Sequence, residues 1–153
     1  MNLSDNFSNA KRRLWSLTTR FEKDQALFQE NNEVFREQLK SGVIEPITIE
    51  KGISSDHMYY MPHHPVIRRD KEESRAKLRI VFDASSKDKN CYSLNDNLEA
   101  GPNLNPNLLN LLLQFRQNFI GIIADIEKAF LRICLNKNDR DCQRFLWFDQ
   151  MPP

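Results

Sequence analysis

Asp125 stands where a carboxylate can meet a metal ion. It closes the continuous apolar run Phe119-Ile120-Gly121-Ile122-Ile123-Ala124, which has the length of a strand. A buried strand that ends on an aspartate puts the carboxylate at the rim of a sheet. Magnesium takes one or two carboxylates and completes its shell with phosphate oxygens and water. The same aspartate also suits a cap on the turn that follows. On the local pattern alone, both readings stand.

The other chemically suggestive group is basic. Arg68, Arg69, Lys71, Arg75, Lys77 and Arg79 lie close together, mixed with Asp70, Glu72 and Glu73. A tip of mixed charge is ordinarily solvated. Arg79 differs because it sits inside an apolar strand pattern. Burial there without a partner is costly, so it should find a partner or reach a ligand. A planar guanidinium with several donors suits a triphosphate. Cys91, Cys134 and Cys142 form no CxxC pair, and with His57, His63 and His64 they lack zinc-ligand spacing. Four glycines leave no glycine-rich phosphate loop.

These residues need elements to position them. Phe7, Ala10, Leu14, Leu17 and Phe21 recur at helical spacing. A second helix is expected from Asp24 as N-cap, with the stripe Leu27, Phe28, Val34, Phe35 and Leu39. Ser41-Gly42 stops it, and Pro46 prevents a restart. This pair reads as a helical hairpin that packs on something else. Short extended pieces are expected at Val43-Ile44-Glu45-Pro46 and Ile47-Thr48-Ile49. The stretch from Met58 to Arg69 and the run Lys77 to Asp83 flank a charged tip at Asp70 to Ala76, as in an antiparallel hairpin. Leu78, Ile80 and Phe82 share one face of the second run.

Ala84 to Gly101 reads as a polar loop. Asn105 and Pro106 supply a cap and a first-turn proline for a helix rich in leucine. That helix, near Pro106 to Gln117, is apolar around much of its circumference and is expected to be deeply buried. Phe119 to Ala124 is expected to be a strand, followed by a short helical or turn piece. Arg140 to Phe148 is expected to extend again. The fold class is α+β, with a helical lead-in over 1–42, a middle part over 43–118 and a last part over 119–153.

Length and composition suit one globular domain: 153 residues, 40% hydrophobic, 28% charged and a net charge of +1. The first twenty residues carry Asp5, Lys11, Arg12, Arg13 and Arg20 with no apolar core, so no secretory signal is expected. No apolar run approaches the roughly 20 residues of a spanning helix. An odd, scattered cysteine set suits a reducing, intracellular setting. No membrane partner is expected.

Several of these segments, in order, resemble one family. They are Tyr60-Met61-Pro62-His63-His64-Pro65-Val66, Leu78-Arg79-Ile80-Val81-Phe82-Asp83-Ala84-Ser85, Ser93-Leu94-Asn95-Asp96 and Gly101-Pro102-Asn103-Leu104. Ala124-Asp125-Ile126-Glu127-Lys128-Ala129-Phe130 and Asp139-Arg140-Asp141-Cys142-Gln143-Arg144-Phe145-Leu146-Trp147 continue the series. Together they resemble the reverse transcriptases of BEL/Pao LTR retrotransposons. The segment before Gly42 resembles the lead-in to that polymerase.

The resemblance implies the fingers over 43–118 and the first part of the palm over 119–153. It implies Asp125 as a catalytic, magnesium-binding aspartate, with the carbonyl of Ile126 as a neighbouring metal ligand. It implies Arg79 as the fingers arginine on the incoming triphosphate, with Lys77 as a helper. Lys128 and Ala129 would line the triphosphate through backbone N–H groups. Phe130 would sit under the sugar and exclude ribonucleotides. The implied partners are an RNA or DNA template with its primer, and a deoxynucleotide. The sequence departs from the family in one respect. The later tyrosine-x-aspartate-aspartate type turn does not occur within it, and two-metal chemistry needs those carboxylates. The 153 residues alone are therefore expected to be inactive. The alternative is a retroelement-derived scaffold that binds nucleic acid or protein without catalysis.

Overall fold

The computed structural model describes residues 3–47, 58–68 and 77–151. They form a mixed α+β structure in two compact units, residues 1–98 with 135–153, and residues 99–134.

The first unit opens with helices α1 (Phe7–Lys23) and α2 (Gln25–Lys40). The helical stripes position their core: Ala10, Leu17, Phe21, Leu27, Phe28 and Phe35 are buried. Asp24 alone links the two helices. Its N–H donates to the Arg20 and Phe21 carbonyls, and its side chain accepts from Leu27 N at 3.0 Å. One residue thus ends α1 and caps α2. Gly42 ends the second helix at φ 71°, a backbone shape that suits glycine.

Strands β1 (His63–Arg68) and β2 (Lys77–Phe82) pair antiparallel, with His63 opposite Phe82, Pro65 opposite Ile80 and Ile67 opposite Leu78. These three pairs share the inner face. The expected tip, Asp70 to Ala76, lies outside the described residues. So do Thr48 and Ile49; residues 43–47 form no strand. Ile67 and Leu78 pack on the cluster Leu17, Phe21, Leu27 and Phe28, together with Trp147 and Phe148. Phe35 stacks on Phe145 at a centroid distance of 5.1 Å and meets Trp147 at 4.6 Å. Asn32 fixes Trp147 by accepting from its indole N–H at 3.0 Å.

Residues 140–148 do not form the extended run expected. A 3-10 turn over Arg140–Gln143 comes first. Arg144 then makes a single parallel bridge to Tyr60. Its guanidinium is tied to Asp141 at 2.8 Å, within the 3-10 turn that precedes the bridge. A second cluster, Tyr59, Met61 and Leu94, completes this unit. Ala84 to Leu98 is not wholly loop. Ser93 and Asp96 form a reciprocal capping box on a short helix, α3 (Leu94–Asn97).

The second unit contains α4 (Leu108–Phe115), and two expectations for it are corrected. The helix cap is Asn107, whose side chain accepts from Leu109 N and Asn110 N, and the helix begins after Pro106. No residue of α4 is buried, because no apolar surface within this unit covers it. The segment Phe119 to Ala124 is neither strand nor helix. A strand exists only through ladder partners, and no described segment pairs with it. Gly121 lies close against the Phe115 ring, which an added Cβ would run into. A 3-10 turn over Ala129–Arg132 follows, as the sequence led us to expect.

Candidate functional site

The inner face of the hairpin packs on aromatic rings. His63 is buried among Phe35, Phe82, Phe145 and Trp147, with ring centroids 5.3–5.7 Å away. Its Nε2 lies 2.9 Å from the Leu146 carbonyl oxygen, while Nδ1 has no partner. Burial pushes the imidazole below its ordinary pKa, which favours the neutral ring. Period-two alternation with Pro65 and Ile67 could have marked His63 as a core residue.

The outer face of the hairpin carries the candidate arginine. Arg79 lies opposite Val66, and its side chain is exposed. The expectation that it is buried within an apolar strand is corrected: the pleat turns it outward, away from Leu78 and Ile80. It has no ion-pair partner among the described residues. The cost of burial therefore explains nothing here, and what remains is an exposed guanidinium on the outer face of β2 with no ion pair among the described residues. Lys77 opens β2, with its backbone paired to Arg68.

A second rigid feature lies at the start of the unit. Asn6 is fully buried with φ 56°. Its amide donates to the Tyr60 carbonyl at 3.1 Å and to the Tyr59 hydroxyl at 3.3 Å. The Tyr59 hydroxyl in turn donates to the Ser86 carbonyl, and Asn9 donates to the Ser86 hydroxyl at 2.7 Å. Periodicity did not point to this network, since its members are polar and far apart in sequence.

The remaining candidates all lie in the second unit. Asp125 is exposed, and its Oδ1 accepts from Ile126 N at 2.9 Å. That bond reaches only the N–H of the next residue, and it leaves the other carboxylate oxygen available. The backbone enters the left-handed region at Lys128, φ 54°, and passes into the turn beginning at Ala129. The first N–H groups of such a turn have no partners inside it. Phe130 is 89% exposed and packs under nothing within its unit.

Asp125 and the Ile126 carbonyl offer two oxygen donors, and no second carboxylate accompanies them among the described residues. Among the described residues no group of three or more His, Cys, Asp or Glu side chains could hold a metal ion. The residues present do not amount to a metal site, and no catalytic step is derived through one. Among the same residues, no helix is long and apolar enough to cross a membrane. Set against protein-family models, curated proteins and solved structures, the chain matches none.

Proposed function

We propose that this chain is the fingers and first palm segment of an RNA-directed DNA polymerase, a reverse transcriptase of the BEL/Pao type. The observation that carries the reading is the antiparallel hairpin β1–β2. It leaves Arg79 exposed on its outer face, while an aromatic core clamps its inner face. A fork of donors on a rigid strand is what binding a triphosphate requires, because little order has to be gained on binding. In this reading Lys77 assists Arg79. Asp125 and the Ile126 carbonyl supply part of a magnesium site that a later pair of aspartates completes. The N–H groups of Lys128 and Ala129 face the triphosphate, and Phe130 floors the sugar pocket. Template, primer and deoxynucleotide are the partners.

The test is to express the chain together with the coding sequence downstream of the Pro153 codon. Primer extension on an RNA template is expected, and Arg79→Ala should raise KM for the deoxynucleotide by about tenfold or more, the scale of a lost charge-assisted contact. A downstream frame without an aspartate pair, or an unchanged KM in the variant, would overturn the reading. Primer–template binding without extension would favour the scaffold instead.

A further inference from the structure

Between α1 and β1 lies an open pocket of about 220 Å³ lined by Arg13, Ser16, Leu17, Arg20, His63 and His64. Arg13, Ser16 and Arg20 sit on one face of α1 at helical spacing. No carboxylate lines the pocket. Arg13 is held at its edge by Asp83, at 2.7 Å. That carboxylate is also occupied by the Ser85 hydroxyl at 2.7 Å and the Ser85 N–H at 3.2 Å. These bonds, the hydroxyl first, hold the Asp83 carboxyl below its ordinary range, so it stays ionised and keeps Arg13 in place. Ser16 already donates to the Arg12 carbonyl at 3.1 Å. Arg20 is exposed and has no carboxylate partner among the described residues.

Asp83 offsets the charge of Arg13, so the positive charge left at the pocket is that of Arg20, which has no carboxylate partner among the described residues. His63 contributes a buried neutral ring to the lining; its Nε2 is bonded to the Leu146 carbonyl, so it supplies no proton to an anion. His64 points to the outer face of the hairpin, in register with Val81 and on the side that carries Arg79. An anion seated at Arg20 can thus continue along that face as a chain of anions. A nucleic-acid strand has that form, with a negative charge at every nucleotide.

We propose that this pocket is a binding site for a phosphate group of a nucleic-acid strand, with Arg20 as its principal donor and Arg13 as the preset second one. The proposal rests on the first unit alone and does not require the chain to belong to a polymerase. Paired guanidinium forks recognise phosphate oxygens in two-point contacts. Arg20 is the residue to change, because it is exposed and supports no other group.

The test uses the 153-residue chain and a short single-stranded oligonucleotide, with affinity read by fluorescence anisotropy across a salt series. Arg20→Gln should weaken binding by about tenfold and reduce the salt slope by about one. Lys11→Gln, a charge loss on the same helix outside the pocket, should change affinity by less than about twofold, as for a solvated charge. Circular dichroism confirms that both variants keep their helices. Inorganic phosphate is then added as competitor. Competition by phosphate but not by acetate identifies the phosphate group as the feature recognised. Oligonucleotide binding that depends on Arg20 but resists phosphate shows that the strand is required; this also supports the site. Equal losses in Arg20→Gln and Lys11→Gln, no loss in either, or equal competition by acetate would overturn the proposal.

Discussion

The two units contain similar residue types and use them in opposite ways. In the first, Phe21, Phe28, Phe35, Phe82, Phe145 and Trp147 meet one another across helices and strands that are distant in sequence. In the second, the leucines of α4 and the isoleucines at 120, 122 and 123 remain open to solvent. A hydrophobic side chain contributes stability only when a surface is present to cover it. The first unit contains both surfaces of its core. The second contains one, and it also carries Asp125. The candidate residues divide along the same line: Arg79 stands on a scaffold that supports itself, and Asp125 stands on one that does not.

Substitutions should reproduce this contrast. Phe35→Ala removes a buried ring that touches His63, Phe145 and Trp147, and is expected to cost about 3–5 kcal/mol in urea unfolding. Phe119→Ala, in the exposed run, should change the same measurement by no more than about 0.5 kcal/mol. Comparable losses at both positions would erase the distinction between the units.

Asn6→Ala strips the Tyr60 carbonyl of its donor and places alanine at φ 56°, for a loss of about 1–3 kcal/mol. A loss below this range would show that water replaces the amide. Asp24→Ala removes the cap shared by α1 and α2 and should cost about 1 kcal/mol, with Asp24→Asn largely restoring it.

The pH dependence should belong to the first unit. His63 has a folded pKa below its ordinary 6.5, so it resists a proton that the unfolded chain accepts. Its contribution is present above pH 6.5 and is lost as pH falls through the lower folded value. Unfolding midpoints measured at descending pH should therefore fall in the native chain and flatten in His63→Gln. An equal slope in the two would assign the effect to other groups.

The sequence disclosed what is local. The Asp24 cap, the Gly42 stop and the alternation of Leu78, Ile80 and Phe82 depend on near neighbours and are seen as expected; the helical stripes are seen in their middles, while their end members Phe7 and Leu39 are exposed. The Ser93–Asp96 capping box was also within reach, since its spacing is a recognised start signal. Phe119 to Ala124 was not legible in the same way. An apolar run states what it would bury but not what buries it, and strand pairing is a property of two segments. The exposure of Arg79 was legible in part: its period-two position opposes that of Leu78, and the apolar neighbours obscured this. For Asp125 the residue type and its place after an apolar run were legible, and no metal-holding group of side chains surrounds it among the described residues.

The reading that unites Arg79 and Asp125 is most directly tested at Asp125. The measurement is single-nucleotide incorporation by the proposed polymerase, this chain expressed with the coding sequence 3′ of the Pro153 codon, comparing native protein with Asp125→Asn. Asparagine keeps the oxygen that accepts from Ile126 N, and the residue is exposed, so the fold should survive. Only the negative charge is lost. The account predicts incorporation reduced to background with an unchanged unfolding midpoint; near-native turnover by Asp125→Asn would contradict it.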